Sequence, residues 1–284
     1  MSTTTLTTKA LPTAAARAHG PLRKVSDVAV LSTRNLVHIS REPLQLSDVT
    51  IQPVLFTLMF VYVFGAGMAL PGGAGYRDFA IPGMLVFNLL TNTVGTGVGL
   101  SQDVNTGLIS RFRTLPMWRP GVLVARSVTD LLTAVLGAGI IAATGFAIGW
   151  SPHNGAGNAI AAFALALFFA YAVSWGCACL GLVSRGAETP QALGMLILFP
   201  ILFVSNALVP TQNMTPWLRD LTTWNPISAV TAAARELLGN PNPSASIDAW
   251  PMRHPVQATL AWTIGLLLVF APAAVVLYRR RAAH

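Results

Sequence analysis

Residues 131–184 read LLTAVLGAGIIAATGFAIGWSPHNGAGNAIAAFALALFFAYAVSWGCACLGLVS and hold no Asp, Glu, Lys or Arg. Asp130 and Arg185 close the run on either side. A helix that crosses a membrane takes about 20 mainly apolar residues. The run is too long for one such helix and suits two. Its middle, Trp150-Ser-Pro-His-Asn-Gly-Ala-Gly-Asn158, is a cluster of turn formers that supplies the break. Two spans are expected, about 127–149 and 159–183.

The same rule works outward. Asp48 and Arg77 enclose a span at about 49–69, and Asp78 and Asp103 one at about 79–100. Glu188 and Arg219 enclose 189–209, and His254 and Arg279 enclose 256–278. Composition agrees. The chain has 284 residues, 53% hydrophobic and only 10% charged, where soluble domains carry about 25% charged residues. The expected fold is an all-α integral membrane protein, with six transmembrane helices forming a domain over 49–278.

Residues 1–22 are rich in Thr, Ala and Pro and read as a disordered cytoplasmic tail. They have no apolar core of signal-peptide type, so the first span is expected to direct insertion. Residues 23–42 differ. At 100° per residue Val25, Val28, Ala29, Leu36 and Ile39 share one face, opposite Arg23, Asp27, Arg34, His38 and Arg41. That pattern predicts an amphipathic surface helix with a mostly basic polar face, Arg23, Arg34 and Arg41 at the headgroups. A short helix packed on a soluble partner is the competing reading. Pro43 ends it.

Orientation follows from Lys and Arg. With the N-terminus inside, fourteen of the 18 cations fall in cytoplasmic segments. The outer four, Arg77, Arg219, Arg235 and Arg253, are matched by Asp78, Asp220, Glu236 and Asp248. The net +8 then lies wholly on the inner side, as the positive-inside rule requires. Both termini are expected in the cytoplasm. The basic charge is accounted for by topology, and no nucleic-acid partner is expected.

The sequence narrows the chemistry. A P-loop needs lysine after glycine. The two lysines, Lys9 and Lys24, follow Thr8 and Arg23, so the chain has no Walker A motif. Membrane enzymes and proton-coupled carriers keep acids and bases at depth, because such costly residues persist for function. The centres of the six spans have none. Asp130 lies near the inner end of the third span, where Arg126 can pair with it one turn earlier. Cys177 and Cys179 are two apart and do not face each other on a helix, so neither a disulfide nor a metal site is expected. No catalytic, cofactor-binding or metal-ligating residue is assigned.

Neutral polar residues do occur at depth. In the second span Asn88, Asn92 and Thr96, with Gly95 and Gly99, follow helical spacing. They form either a helix–helix seam or a polar stripe along a translocation path. Ser205 and Asn206 in the fifth span carry the same ambiguity. Gly145 and Gly149 form a G-x-x-x-G read as packing.

Two segments between spans stand out. In 103–115, Asp103 suits the cap of a short helix. Leu108, Ile109, Phe112 and Leu115 form its apolar face, Arg111 and Arg113 flank it, and Pro116 closes it. It is a plausible plug for a groove on a cytosolic partner; an ordinary interfacial loop is the alternative. In 211–238, the apolar part at 227–234 is too short to span. Trp217 and Trp224 suit an aromatic belt. A re-entrant or interfacial helical pair is expected, with Arg235 and Glu236 at its water-facing end.

Seven markers then line up with the spans: Arg41-Glu-Pro43; Gln52-Pro-Val-Leu-Phe56 leading to Val61-Tyr-Val-Phe-Gly65; Ile81-Pro-Gly83; Asp103 with Thr106-Gly107; Arg111-Phe-Arg-Thr-Leu-Pro116; Trp224-Asn-Pro226; and Arg235-Glu-Leu237. In this order, from Arg41 to the C-terminus, the chain resembles the permeases of type-2 ABC transporters, especially the daunorubicin-resistance group. The resemblance implies an exporter of two permease and two ATPase subunits, the second permease being a copy or close paralogue. ATP and Mg would sit on the ATPase. The 103–115 segment (Asp103, Leu108, Arg111, Phe112, Arg113, Leu115, Pro116) would be the coupling helix. An amphiphilic substrate, a drug such as an anthracycline or a lipid, would move outward. Export of a cell-envelope lipid or glycan is the nearest alternative, and a membrane-embedded enzyme a remote one.

Overall fold

The structure, a computed structural model, describes residues 43–68, 70, 75–106, 121–184, 186–211 and 214–283. Helices joined by turns make up these residues, and none of them is in a strand. Helix α1 (Pro43–Met59) runs on through a π-helical turn, Phe60–Phe64, and a last turn, Gly65–Gly67. Then come α2 (Tyr76–Asn105), α3 (Gly121–Ala147), α4 (Gly155–Val183) and α5 (Glu188–Phe203). Two short helices, α6 (Pro216–Trp224) and α7 (Pro226–Leu238), precede α8 (Trp250–Arg253) and the long α9 (Pro255–Ala283).

Five of these helices are long and apolar enough to cross a membrane: those over Val49–Gly67, Tyr76–Asn105, Arg126–Ala147, Gly155–Val183 and Pro255–Arg281. The sequence led us to expect a sixth of similar length at 189–209. The helix there has only 16 residues and stops at Phe203. Residues 204–209 form turns instead. Pro200 withholds a backbone donor in its last turn. Beyond it, the Asn225 side chain donates to the carbonyls of Ile201 (2.7 Å) and Val204 (2.5 Å) and takes over the helix end.

α2 is the central helix. It packs against α3, α4, α5 and α7, and α4 in turn carries α7 and α9. Phe79 to Leu90 is buried without a break. At 30 residues, α2 is about 45 Å long by the helical rise. Tight packing on α4 depends on absent side chains. A Cβ on Gly97 would sit 2.5 Å from the Cys177 carbonyl oxygen, and one on Gly181 would collide with the Gly97 carbonyl. The close crossing thus passes through Gly97, not through Gly95, where a Cβ would meet nothing. Gly145 packs against Trp150 and Ile81, whereas Gly149 is a turn residue at φ +86° beyond the end of α3. The two do not form one helical motif.

At the α6–α7 end the elements are knit by side chains. Asn225 caps α7 by accepting from the Ile227 amide at 2.8 Å, and Pro226 holds the first helical position. Gly239, at φ +69°, ends the helix in the left-handed conformation. Trp150 Nε1 donates to Asn240 (3.3 Å), and Tyr76 donates to the Leu208 carbonyl (3.0 Å). Trp217 and Trp224 are exposed. Apolar side chains are also exposed along α1, α3, α5 and α9, the faces a bundle turns to lipid or to another membrane subunit.

Candidate functional site

Asn88, Asn92 and Thr96 are four residues apart and lie on one face of α2. Asn92 Nδ2 donates to Asn88 Oδ1 at 3.1 Å. Asn88 Oδ1 also lies where a Cβ on Gly137 of α3 would come within 2.9 Å. Glycine at that position leaves space for a buried amide.

The stripe borders two cavities. One, of about 290 Å³, is lined by Asn92, Thr96 and Gln102 of α2, by Arg126, Asp130 and Thr133 of α3, and by Tyr171 and Ser174 of α4. The other, of about 250 Å³, is lined by Gln52 and Phe56 of α1, Asn88 and Asn92 of α2, and Gln191 and Met195 of α5. Asn92 and Gln191 border both. Around the second cavity Phe56, Phe87 and Phe199 form a chain of rings with centroids 6.3 Å apart at each step. The lining is therefore neutral polar groups backed by aromatics, a surface suited to an amphiphile. Asn88, Asn92 and Thr96 serve both sequence readings: Asn88 is a seam residue against α3, and all three border a cavity.

Charge enters the larger cavity at one end. Arg126 Nε lies 3.2 Å from Asp130 Oδ1, the pairing expected from spacing, and Nη1 lies 4.0 Å from Asp103 Oδ2. Asp103 was expected to cap a short helix. It lies instead in the last turn of α2, two residues before its end, because α2 runs unbroken to Asn105. A helix continuing in register leaves no free N–H groups there to cap.

Ser205 and Asn206 sit at the other end, fully buried and away from both cavities. Ser205 Oγ donates to the Leu202 carbonyl at 2.5 Å. Asn206 donates from its backbone to Ser228 Oγ (3.0 Å) and from its side chain to Ser244 Oγ (2.9 Å). Asn206 thus fastens the turn after α5 to α7 and to the segment at Pro243–Ser246, while Ser205 braces the turn itself by also accepting from the Ala207 amide. Arg235 is the larger correction. It was expected at the water-facing end of α7 and has no solvent exposure. Its guanidinium donates to the carbonyls of Phe79 (3.1 Å), Asn206 (2.9 Å) and Ala207 (2.9 Å), and it stacks 3.7 Å over the Phe79 ring. Carbonyl dipoles take the place of water. Glu236, by contrast, is exposed.

Leu108, Arg111, Phe112, Arg113, Leu115 and Pro116, and the surface-helix residues Arg23, Arg34 and Arg41, lie outside the described residues. Reasoning from sequence missed Gln52 and Gln191. Both are uncharged polar residues in or beside the charge-free stretches, a signal used for α2 but not for α1 and α5.

A bundle of apolar helices around neutral polar cavities describes many transporters. Comparison with known proteins narrows it: the family model for the ABC-2 type transporter matches residues 26–238. The chain belongs to this family. It is 33% identical over 251 residues to the daunorubicin resistance ABC transporter permease protein DrrB1 of Streptomyces coeruleorubidus, covering 88% of this chain and 85% of the relative. It is 23% identical over 277 residues to the probable doxorubicin resistance permease protein DrrC of Mycobacterium tuberculosis, covering 92% and 91%. The probable multidrug permease YbhR of Escherichia coli is 25% identical over 199 residues, covering 66% of this chain and 50% of that one. As an ABC-2 type permease, the chain is a multi-pass protein of the cell membrane.

Proposed function

We propose that the chain is the membrane subunit of an ATP-driven exporter of hydrophobic or amphiphilic compounds, with anthracycline-type drugs as the leading class. A separate ATPase subunit, present in two copies with ATP and Mg, drives it, and a second permease copy or paralogue completes it. The observation that carries the reading is the polar stripe Asn88–Asn92–Thr96 on the most enclosed helix, bordered on both sides by cavities with aromatic and amide walls. Polar groups at such depth need protein or ligand partners. The names of the relatives point to drugs of the daunorubicin and doxorubicin kind.

In this reading α5 completes a sixth crossing together with the turns at 204–209, and both termini face the cytoplasm. The α6–α7 end then faces outward. The Asp103–Arg126 end faces inward, next to the 103–115 coupling segment. The helix at 23–42 lies on the inner surface. The smaller cavity, with amides and aromatics and no charged residue in its lining, would select by shape and amphipathy rather than by fixed charge.

The test is efflux from cells loaded with doxorubicin. Cells expressing the chain with its ATPase partner should clear the drug several-fold faster than cells lacking either subunit. Unchanged drug clearance together with altered export of an envelope lipid or glycan would replace the drug by that cargo.

A further inference from the structure

We propose that Arg126 is a positioning residue for transport: it ties the end of α2 at Asp103 to the cavity wall at Asp130, so that the two move together. The proposal rests on the exporter reading above. The guanidinium touches three points. Nε meets Asp130 on its own helix at 3.2 Å, Nη1 meets Asp103 on α2 at 4.0 Å, and Nη2 donates to the Gly95 carbonyl on α2 at 3.0 Å.

Helix geometry explains why these points converge. Main-chain carbonyls point toward a helix C-terminus, and side chains lean toward its N-terminus. The Gly95 carbonyl and the Asp103 carboxylate therefore both reach toward position 99. That residue is glycine, and a Cβ there would overlap the Arg126 guanidinium. α2 thus carries a notch shaped for one flat cation. Arginine can serve two carboxylates and a carbonyl at once through its planar fork, where lysine offers a point charge.

The contact joins two functional regions. Asp103 is at the end of α2 that leads into the 107–120 segment. Arg126 and Asp130 line the larger cavity with Asn92 and Thr96. All three charged side chains are between a fifth and a third exposed, so the pairs are partly shielded from solvent. A tilt or rotation of the inner end of α2 pulls on α3 through Arg126 and reshapes the cavity wall. Without Arg126 this link between the two helices is lost, and Asp103 and Asp130 lose the cation they share.

The experiment uses proteoliposomes holding the full chain and its ATPase subunit, and reads doxorubicin moved per ATP hydrolysed. Asp103→Asn, Arg126→Gln and Asp130→Asn are combined, so that the three charges of the contact are removed together. The proposal expects the ratio to fall by roughly tenfold, a typical coupling energy, while the subunits still co-purify. A purely structural role lowers transport and turnover in proportion and leaves the ratio alone, and a wild-type ratio in the triple variant overturns the proposal. Gly99→Ala is the second variant: it displaces the guanidinium and keeps every charge. It should lower the ratio as well, and a wild-type ratio there also overturns the proposal. Absence of ATP-dependent doxorubicin transport by the wild-type assembly is a separate result. It refutes the drug-exporter reading itself, and this proposal with it.

Discussion

Arg235 decides how the α6–α7 end is built. A cation fully removed from water costs several kcal/mol unless its donors are satisfied. Here three carbonyls from two distant segments, Phe79 on α2 and Asn206–Ala207 after α5, meet that need. Arg235→Met should therefore destabilise the protein by about 3–5 kcal/mol, since three buried acceptors lose their donor. Thermal unfolding in detergent should show a clearly lowered midpoint, and Arg235→Lys should lie between. An unchanged midpoint for Arg235→Met would mean that the turn holds without it. Neither the burial nor the partners were legible in the sequence. Backbone carbonyls exist at every position, so no residue type marks them. Sequence showed a charge near a short helix end, and water is the default partner for such a charge. Asp103 misled for a related reason. Its residue type fits a cap, but only the packing of α2 decides that the helix runs past it.

Element boundaries tell a similar story. The charge-free stretches put spans at 49–69, 79–100, 127–149, 159–183 and 256–278, which fall on α1, α2, α3, α4 and α9, because insertion into lipid disfavours charge along a span. They overextended α5. Its apolar stretch continues through 204–209, whereas the helix ends where Asn225, more than twenty residues later, takes the carbonyls of Ile201 and Val204. Trp224-Asn-Pro226 was legible as a marker, and in the structure its middle residue both closes α5 and caps α7. On α2 the polar stripe was legible from spacing, but the close crossing with α4 was not, since Gly95, Gly97 and Gly99 look alike in sequence. Gly181→Val should push α2 and α4 apart, because its side chain would enter the Gly97 carbonyl. Cell-surface yield should fall steeply, while Gly95→Ala, with open space at its Cβ, should be tolerated. Asn92→Leu tests the other side of α2. Asn92 borders both cavities, so drug efflux should drop several-fold while membrane insertion is retained. Equal efflux would reassign the stripe to packing alone.

For the whole molecule, charge and cavities have to agree on direction. In the proposed orientation, Asp103 and Arg126 lie at the cytoplasmic end and Arg235 at the outer end. Exposed positions at both ends allow a direct check. A cysteine at Ser246 should react with an impermeant thiol reagent on intact cells, and one at Thr106 should react only after the membrane is opened. The reverse pattern would invert the topology and move the coupling contact outside. In the structure, a dense net of side-chain bonds closes the α6–α7 end, while the larger cavity runs toward Arg126. That asymmetry fits a permease whose motive force arrives from the cytoplasm. In the proposed assembly, that force comes from a separate ATPase subunit. The most direct test is transport in sealed proteoliposomes, with doxorubicin as cargo and ATP as the energy source. The chain alone should hydrolyse no ATP and move no drug, and the chain with its ATPase subunit should do both. ATP turnover by the purified chain alone, or drug movement driven by a proton gradient without ATP, would contradict the account.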